Sequence, residues 1–242
     1  MQLLVSVRSA AEVEPALSGG ADIIDAKEPS RGSLGAVAGD VLDQIVAHVP
    51  HTRTVSVALG DLVRPGEIVA AVSLGLPPRP GSIYLKVGFA GEPSVERIER
   101  LMAMAIEASG KRPAAPRIVA VAYADAVRAG TASPDTICRL AARTGAAGIL
   151  LDTHIKDGRG LLQWMEPVAL RRWIARARGA GLLTALAGGL GLEDMKLVAT
   201  ADPDVVGVRG AACEGGREGH VDRTRVRALQ ERLSELGSGF LQ

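Results

Sequence analysis

Short β-branched apolar runs recur along the chain and alternate with longer stretches in which apolar residues return every three or four positions. The runs predict strands at Leu3–Val7, Asp22–Ala26, Thr54–Leu59, Ile83–Val87, Arg117–Ala122, Ala147–Asp152, Leu183–Ala187 and Val205–Val208. The amphipathic stretches predict helices near Ala10–Ser18, Val37–His48, Pro65–Leu74, Ser94–Ser109, Pro134–Thr144, Pro167–Ala180, Leu192–Ala199 and Arg223–Leu236. Ser133-Pro134 supplies an N-cap followed by proline in the first turn, and Gly145, Gly179 and Gly181 close helices ahead of the next strand. Near-continuous apolar strands separated by helices belong to a parallel sheet covered on its outer face. Eight such repeats predict an α/β fold, a single (β/α)8 TIM barrel that forms one domain over residues 1–242. A doubly wound sheet competes, but the first strand lacks a following G-x-G-x-x-G turn. In a barrel, function belongs at the rim formed by the C-terminal ends of the strands.

Composition narrows the ligands. The chain has 28 Lys and Arg against 27 Asp and Glu, a net charge of +1 that gives no support to nucleic-acid binding. Aromatic residues are only 2% of 242, so stacking platforms are scarce and a small, polar, phosphorylated ligand fits better than a flat aromatic one. Cys138 and Cys213 are far apart and fit a reducing cytoplasm rather than a disulfide framework. The N-terminal MQLLVSVRS is too short for a signal sequence or a membrane span, so a soluble cytoplasmic protein without membrane partners is expected. His48, His51 and His220 have no ligand spacing, and neither a metal nor a cofactor is expected. Exposed apolar positions on barrel helices would permit a homo-oligomer.

The candidate chemistry lies at strand ends. Asp25 and Lys27 are two apart and should face one cavity, Lys86 ends the fourth strand, and Asp152 and Lys156 follow the sixth. Lysines gathered with carboxylates and other cations are suited to Schiff-base chemistry on a carbonyl, because a neighbouring ammonium lowers an amine's pKa and a carboxylate moves protons. Solvated loop positions are the other reading of each lysine, Lys156 above all. Gly188 and Gly189 follow the seventh strand, and Arg209, Gly210 and Ala211 the eighth. Backbone N–H groups there would cradle a phosphate and Arg209 would pair with it; tight turns alone are the alternative. The loop carrying Arg31, Gly32, Ser33 and Gly35 is a second anion candidate or an ordinary loop. Asp61 is a turn residue or a rim acid, and Asp125 is catalytic or a helix cap. His154 beside Asp152 reads as structural or solvated, and Cys213 as an unreactive small residue.

GGADIIDAKEPSRGSLGA, YLKVG, AYADA, LLDTHIKDG, ALAGGLG and VGVRGAAC, in this order, resemble the (5-formylfuran-3-yl)methyl phosphate synthase family from Leu3 to about Arg227. The resemblance implies a TIM-barrel enzyme of methanofuran-type cofactor biosynthesis. It would join two molecules of glyceraldehyde 3-phosphate into a phosphorylated furan aldehyde with loss of phosphate and water. By position, Lys27 would form the Schiff base and Lys86 accept a proton, while Asp25, Asp152 and Lys156 match charged positions of the site. The chain departs from the family mainly outside these motifs, as in LPPRP at Leu76–Pro80. The residues are consistent with that chemistry: an amine for the imine, a base for the α-proton, and an enamine to attack a second aldehyde. Two other readings stand beside it: another Schiff-base sugar-phosphate aldolase, and a non-catalytic barrel that binds phosphorylated metabolites.

Overall fold

The computed structural model describes residues 1–72, 82–110 and 115–238. Eight parallel strands close into a barrel in sequence order: β1 (Gln2–Val7), β2 (Ile23–Ala26), β3 (Thr54–Asp61), β4 (Ile83–Gly88), β5 (Arg117–Tyr123), β6 (Gly148–Asp152), β7 (Leu183–Leu186) and β8 (Val205–Val208). The barrel shuts by pairing of β1 with β8, with Leu3 opposite Val206 and Val5 opposite Val208. Around it run α1 (Val13–Gly19), α2 (Gly39–His48), α3 (Pro65–Val72), α4 (Val95–Gly110), α5 (Ala126–Ala129), α6 (Pro134–Thr144), α7 (Pro167–Gly179), α8 (Met195–Thr200) and α9 (Arg223–Ser238). All eight predicted strands are present. The expected continuation of α3 to Leu74, and the LPPRP segment, lie outside the described residues.

Alternation along the strands divides the core. Leu3, Val5 and Val7 of β1, like Leu85 and Val87 of β4, face outward and pack under the helices. Ile23, Ala58, Val119, Val121, Leu150 and Val205 face the barrel axis. Helix α4 shows the complementary pattern, burying Ile98, Leu101, Met102 and Ala105 at helical spacing. Ser133 caps α6 by accepting from the Thr136 amide at 3.3 Å, and Gly145 ends that helix at φ +84°, a left-handed conformation that favours glycine.

The differences from expectation are at helix starts and in loops. Helix α8 begins at Met195 rather than Leu192, because Gly191–Asp194 form a turn in which Asp194 accepts from the Gly191 amide at 2.8 Å. The four-residue α5 and the small antiparallel pair β9 (Cys213–Glu214) and β10 (His220–Val221) were not foreseen. Both lie at the C-terminal rim and brace the loops that carry polar residues. Among the described residues no helix is long and apolar enough to cross a membrane.

Candidate active site

The barrel mouth opens into a cavity of about 580 Å³ that continues between the strands, bordered by inward residues two apart: Leu4 and Ser6, Leu183 and Ala185, Val205 and Gly207. Serine, alanine and glycine at these positions leave space that bulkier side chains fill in a packed barrel.

Strand register brings the charged groups together. Ser6 lies opposite Asp25, and Asp25 opposite Ser56, so one level of the barrel holds a carboxylate between two hydroxyls. Ser6 Oγ donates to Asp25 Oδ2 at 2.7 Å. Lys27 is one residue beyond β2, but its amide still donates to Val7 O at 2.9 Å, which keeps it on the same face as Asp25. Lys86 enters from β4 and places Nζ 2.7 Å from Asp25 Oδ1. Across the cavity, Lys156 Nζ lies 2.7 Å from Asp152 Oδ1 and donates to Thr153 Oγ1 at 3.1 Å.

Two lysine–aspartate pairs therefore flank Lys27, which is 7% exposed and has no carboxylate of its own within ion-pair distance among the described residues. Burial, then the Lys86 ammonium, push Lys27 from a lysine's usual 10.5 down to about 7, against the weaker pull of Asp152 and Asp25. Burial opposes ionisation of Asp25, but the ammonium groups of Lys86 and Lys27 outweigh it and hold the carboxyl below its ordinary value. Asp152 behaves likewise: burial raises it, and Lys156 with Lys27 brings it below the ordinary value. The result is an amine near neutrality between paired, ionised acids.

The rim loops are held from below. Asp125 accepts from the amides of His154 at 2.6 Å and Ile155 at 3.0 Å, and makes no side-chain cap on α5. It is neither cap nor cavity acid; it braces the loop that aims Lys156. The loop after β2 closes on itself through Glu28 N to Gly35 O at 2.8 Å. Its Ser33 Oγ reaches Tyr123 OH at 3.3 Å, and that phenol donates to Asp61 Oδ1 at 2.8 Å. Burial, then Asp61, keep Tyr123 protonated well above the usual range. His154 stacks edge-on against Tyr123 with ring centroids 5.0 Å apart. Burial pushes the Cys213 thiol up to about 11, so it is inert near neutrality.

Gly188 and Gly189, at φ +110° and +66°, turn the chain after β7, and Gly210 and Ala211 open a short turn after β8. All four border the cavity. Arg209 does not present its guanidinium to a ligand as expected. It is 5% exposed, paired with Glu12 at 2.5 and 3.0 Å, and bonded to Ser6 O at 2.9 Å, Arg217 O at 3.0 Å and Gly219 O at 2.6 Å. All its nitrogens are committed within the protein, which organises the loop holding β9 and β10. Arg159, Arg217 and Arg225 border the cavity as well; Arg217 is on that same loop, and its Nη2 donates to Pro29 O at 3.0 Å and Gly32 O at 2.6 Å across the mouth. Glu12 and Arg217 carried no signal in sequence, because their partners come from opposite ends of the chain.

Comparison with known proteins shows the family to which the chain belongs. The family model described as 4-HFC-P synthase matches residues 3–230. A protein of Methanothermobacter thermautotrophicus named (5-formylfuran-3-yl)methyl phosphate synthase is 39% identical, with 98% of this chain and 100% of the relative aligned. The protein of that name from Methanopyrus kandleri is 38% identical over 96% and 99%. Among solved structures, 3-hexulose-6-phosphate synthase from Salmonella typhimurium aligns with a TM-score of 0.65 at 17% identity, covering 98% of this chain and 100% of the other. Phosphoribosyl anthranilate isomerase from Thermus thermophilus aligns at 0.63 and 18%, with 98% and 100% covered. At such identity the structural matches speak to the barrel alone.

Proposed function

The chain is an enzyme of the 4-HFC-P synthase family, and we propose that it condenses two molecules of glyceraldehyde 3-phosphate into (5-formylfuran-3-yl)methyl phosphate through an imine on Lys27. The observation that carries this reading is the state of Lys27: buried, without its own counter-ion among the described residues, and lowered to about 7 beside two lysine–aspartate pairs. A neutral amine attacks an aldehyde carbon, and loss of water leaves the imine. The imine withdraws electrons from the adjacent carbon, whose proton Lys86 takes after passing its own proton to Asp25 at 2.7 Å. The carbon–carbon bond to the second triose then forms. Loss of one phosphate and two waters overall balances two trioses against the furan product.

Lys156 and Asp152, paired on the far side of the cavity, would move protons during elimination and ring closure. Gly188, Gly189, Gly210 and Ala211 are assigned to a substrate phosphate, which backbone N–H groups at a glycine-rich rim suit. The furan aldehyde would enter the assembly of a methanofuran-type cofactor.

Incubating the purified protein with glyceraldehyde 3-phosphate, with and without borohydride, tests the reading. The expected results are a six-carbon phosphorylated furan aldehyde by mass spectrometry and a reduced adduct on Lys27, both lost in Lys27→Ala. A hexose bisphosphate instead would make the protein an aldolase, and bound substrate without adduct or product would leave a binding protein.

A further inference from the structure

We propose that Arg217 is both a receptor for a substrate phosphomonoester and the tie that closes the β2 loop over Lys27, so that anion binding and loop closure strengthen one another. This rests on a phosphorylated substrate, as assigned above, and adds the residue and the coupling.

The first observation is an accounting of donors. A guanidinium carries five N–H groups. Both bonds that Arg217 makes within the protein run from Nη2, to Pro29 O and Gly32 O. The N–H groups of Nε and Nη1 have no acceptor among the described residues. The second observation is location. Arg217 borders the cavity that holds Lys27, and its backbone runs beside Gly210, whose added Cβ would lie 3.5 Å from Arg217 N. A phosphate at the β8 turn would therefore lie beside the segment that carries this side chain, in the cavity that the side chain borders.

The third observation is charge. No carboxylate lies within ion-pair distance of Arg217 among the described residues, unlike Arg209 with Glu12. Burial disfavours its cation and Asp152 compensates in part. A half-buried guanidinium with three free donors and no close counter-ion presents the planar fork that a phosphate completes.

The two Nη2 bonds give the coupling. They hold the carbonyls of Pro29 and Gly32, on either side of Arg31, in the loop that follows Lys27 directly. A dianion on the other edge removes the cost of burying the guanidinium and so favours the arrangement in which Arg217 spans the mouth. Because linkage is reciprocal, closing the loop must tighten phosphate binding to the same degree. Closure also keeps water from an imine on Lys27.

Inorganic phosphate is the probe, so the measurement does not depend on turnover. In the full-length protein, titration calorimetry gives phosphate affinity, and mass spectrometry follows tryptic cleavage after Arg31. Phosphate is expected to slow that cleavage at least about tenfold in the parent protein. Arg217→Gln should bind phosphate at least about tenfold more weakly and show no phosphate-dependent protection. Arg217→Lys, which restores charge but not the fork, should keep affinity within a few-fold and lose the protection; it also serves if the glutamine variant does not fold. Unchanged phosphate affinity in Arg217→Gln would overturn the receptor role. Cleavage after Arg31 that ignores phosphate in the parent protein would overturn the coupling. Borohydride trapping at Lys27, run in parallel, separates these outcomes from a failure of the imine reading.

Discussion

Lys86 Nζ lies 2.7 Å from Asp25 Oδ1 with both side chains nearly removed from solvent, although the lysine nearest Asp25 in sequence on that face is Lys27. The carboxylate thus neutralises the lysine of β4, one strand beyond its neighbour β3, and leaves its own strand's lysine to feel a cation without a bound partner. That division makes two identical side chains chemically different.

The first consequence is a pH profile. Lys27 is lowered to about 7, and only the neutral amine attacks a carbonyl. kcat/KM should rise with pH through about 7 and fall about tenfold for each unit below it. Initial rates across that range decide the matter; a profile flat through neutrality would separate the chemistry from Lys27.

Stability should carry a second mark of the same shift. In the unfolded chain Lys27 titrates near 10.5, and in the fold at about 7. Between these values the unfolded state binds more protons, so unfolding free energy rises with pH, and below about 7 the full penalty applies. From the value of one pKa unit, that penalty is about 5 kcal/mol. Lys27→Met should therefore be more stable than the parent protein in mild acid, with the gap narrowing toward alkaline pH. Denaturant midpoints at two pH values measure it.

Asp25→Asn should harm both properties. It removes the only carboxylate paired with Lys86 among the described residues and leaves a buried ammonium uncompensated. The expected loss is about 3 to 5 kcal/mol of stability, together with at least about a hundredfold in kcat. Urea unfolding and steady-state rates on the same preparation would show whether the two losses occur together.

Tyr123→Phe isolates the loop latch. The hydroxyl joins Ser33 of the β2 loop to Asp61 of β3, and its removal leaves Asp61 with the Ala90 amide at 2.8 Å. A cost of about 1 to 2 kcal/mol follows from a lost buried hydrogen bond. KM should rise more than kcat falls, because the reacting lysines keep their places. A fall in kcat alone would instead assign the phenol to the chemistry.

The barrel was legible because buried parallel strands are continuous apolar runs; GILLD needs no context to be read as β6. Asp25 and Lys27 were legible because a strand repeats every two residues. Which lysine Asp25 serves was not, since that depends on how β4 is staggered against β2. Arg209 against Arg217 was harder still. Both stand in one glycine-rich loop, and only the fold reveals that Glu12, from a turn near the N-terminus, occupies the first and leaves the second for the mouth. Asp125 could be read as a catalytic acid or a helix cap from its place just after β5. The amides it serves come from the loop after β6, 29 and 30 residues further on.

The hollow beneath the lysines arises from missing side-chain volume, not from separated strands. At Gly207, where the backbone has no left-handed turn, a methyl group would meet Ala187 Cβ at 3.4 Å and Leu4 Cδ2 at 3.5 Å, ordinary contact distances. Space and reactivity are thus written by different residues: the charged groups set what bond is made, and the small ones set how large a molecule can be present when it is made. A lineage could refit this barrel to a longer or shorter carbon skeleton by single methyl steps along its interior, with every ionisable group left where it stands.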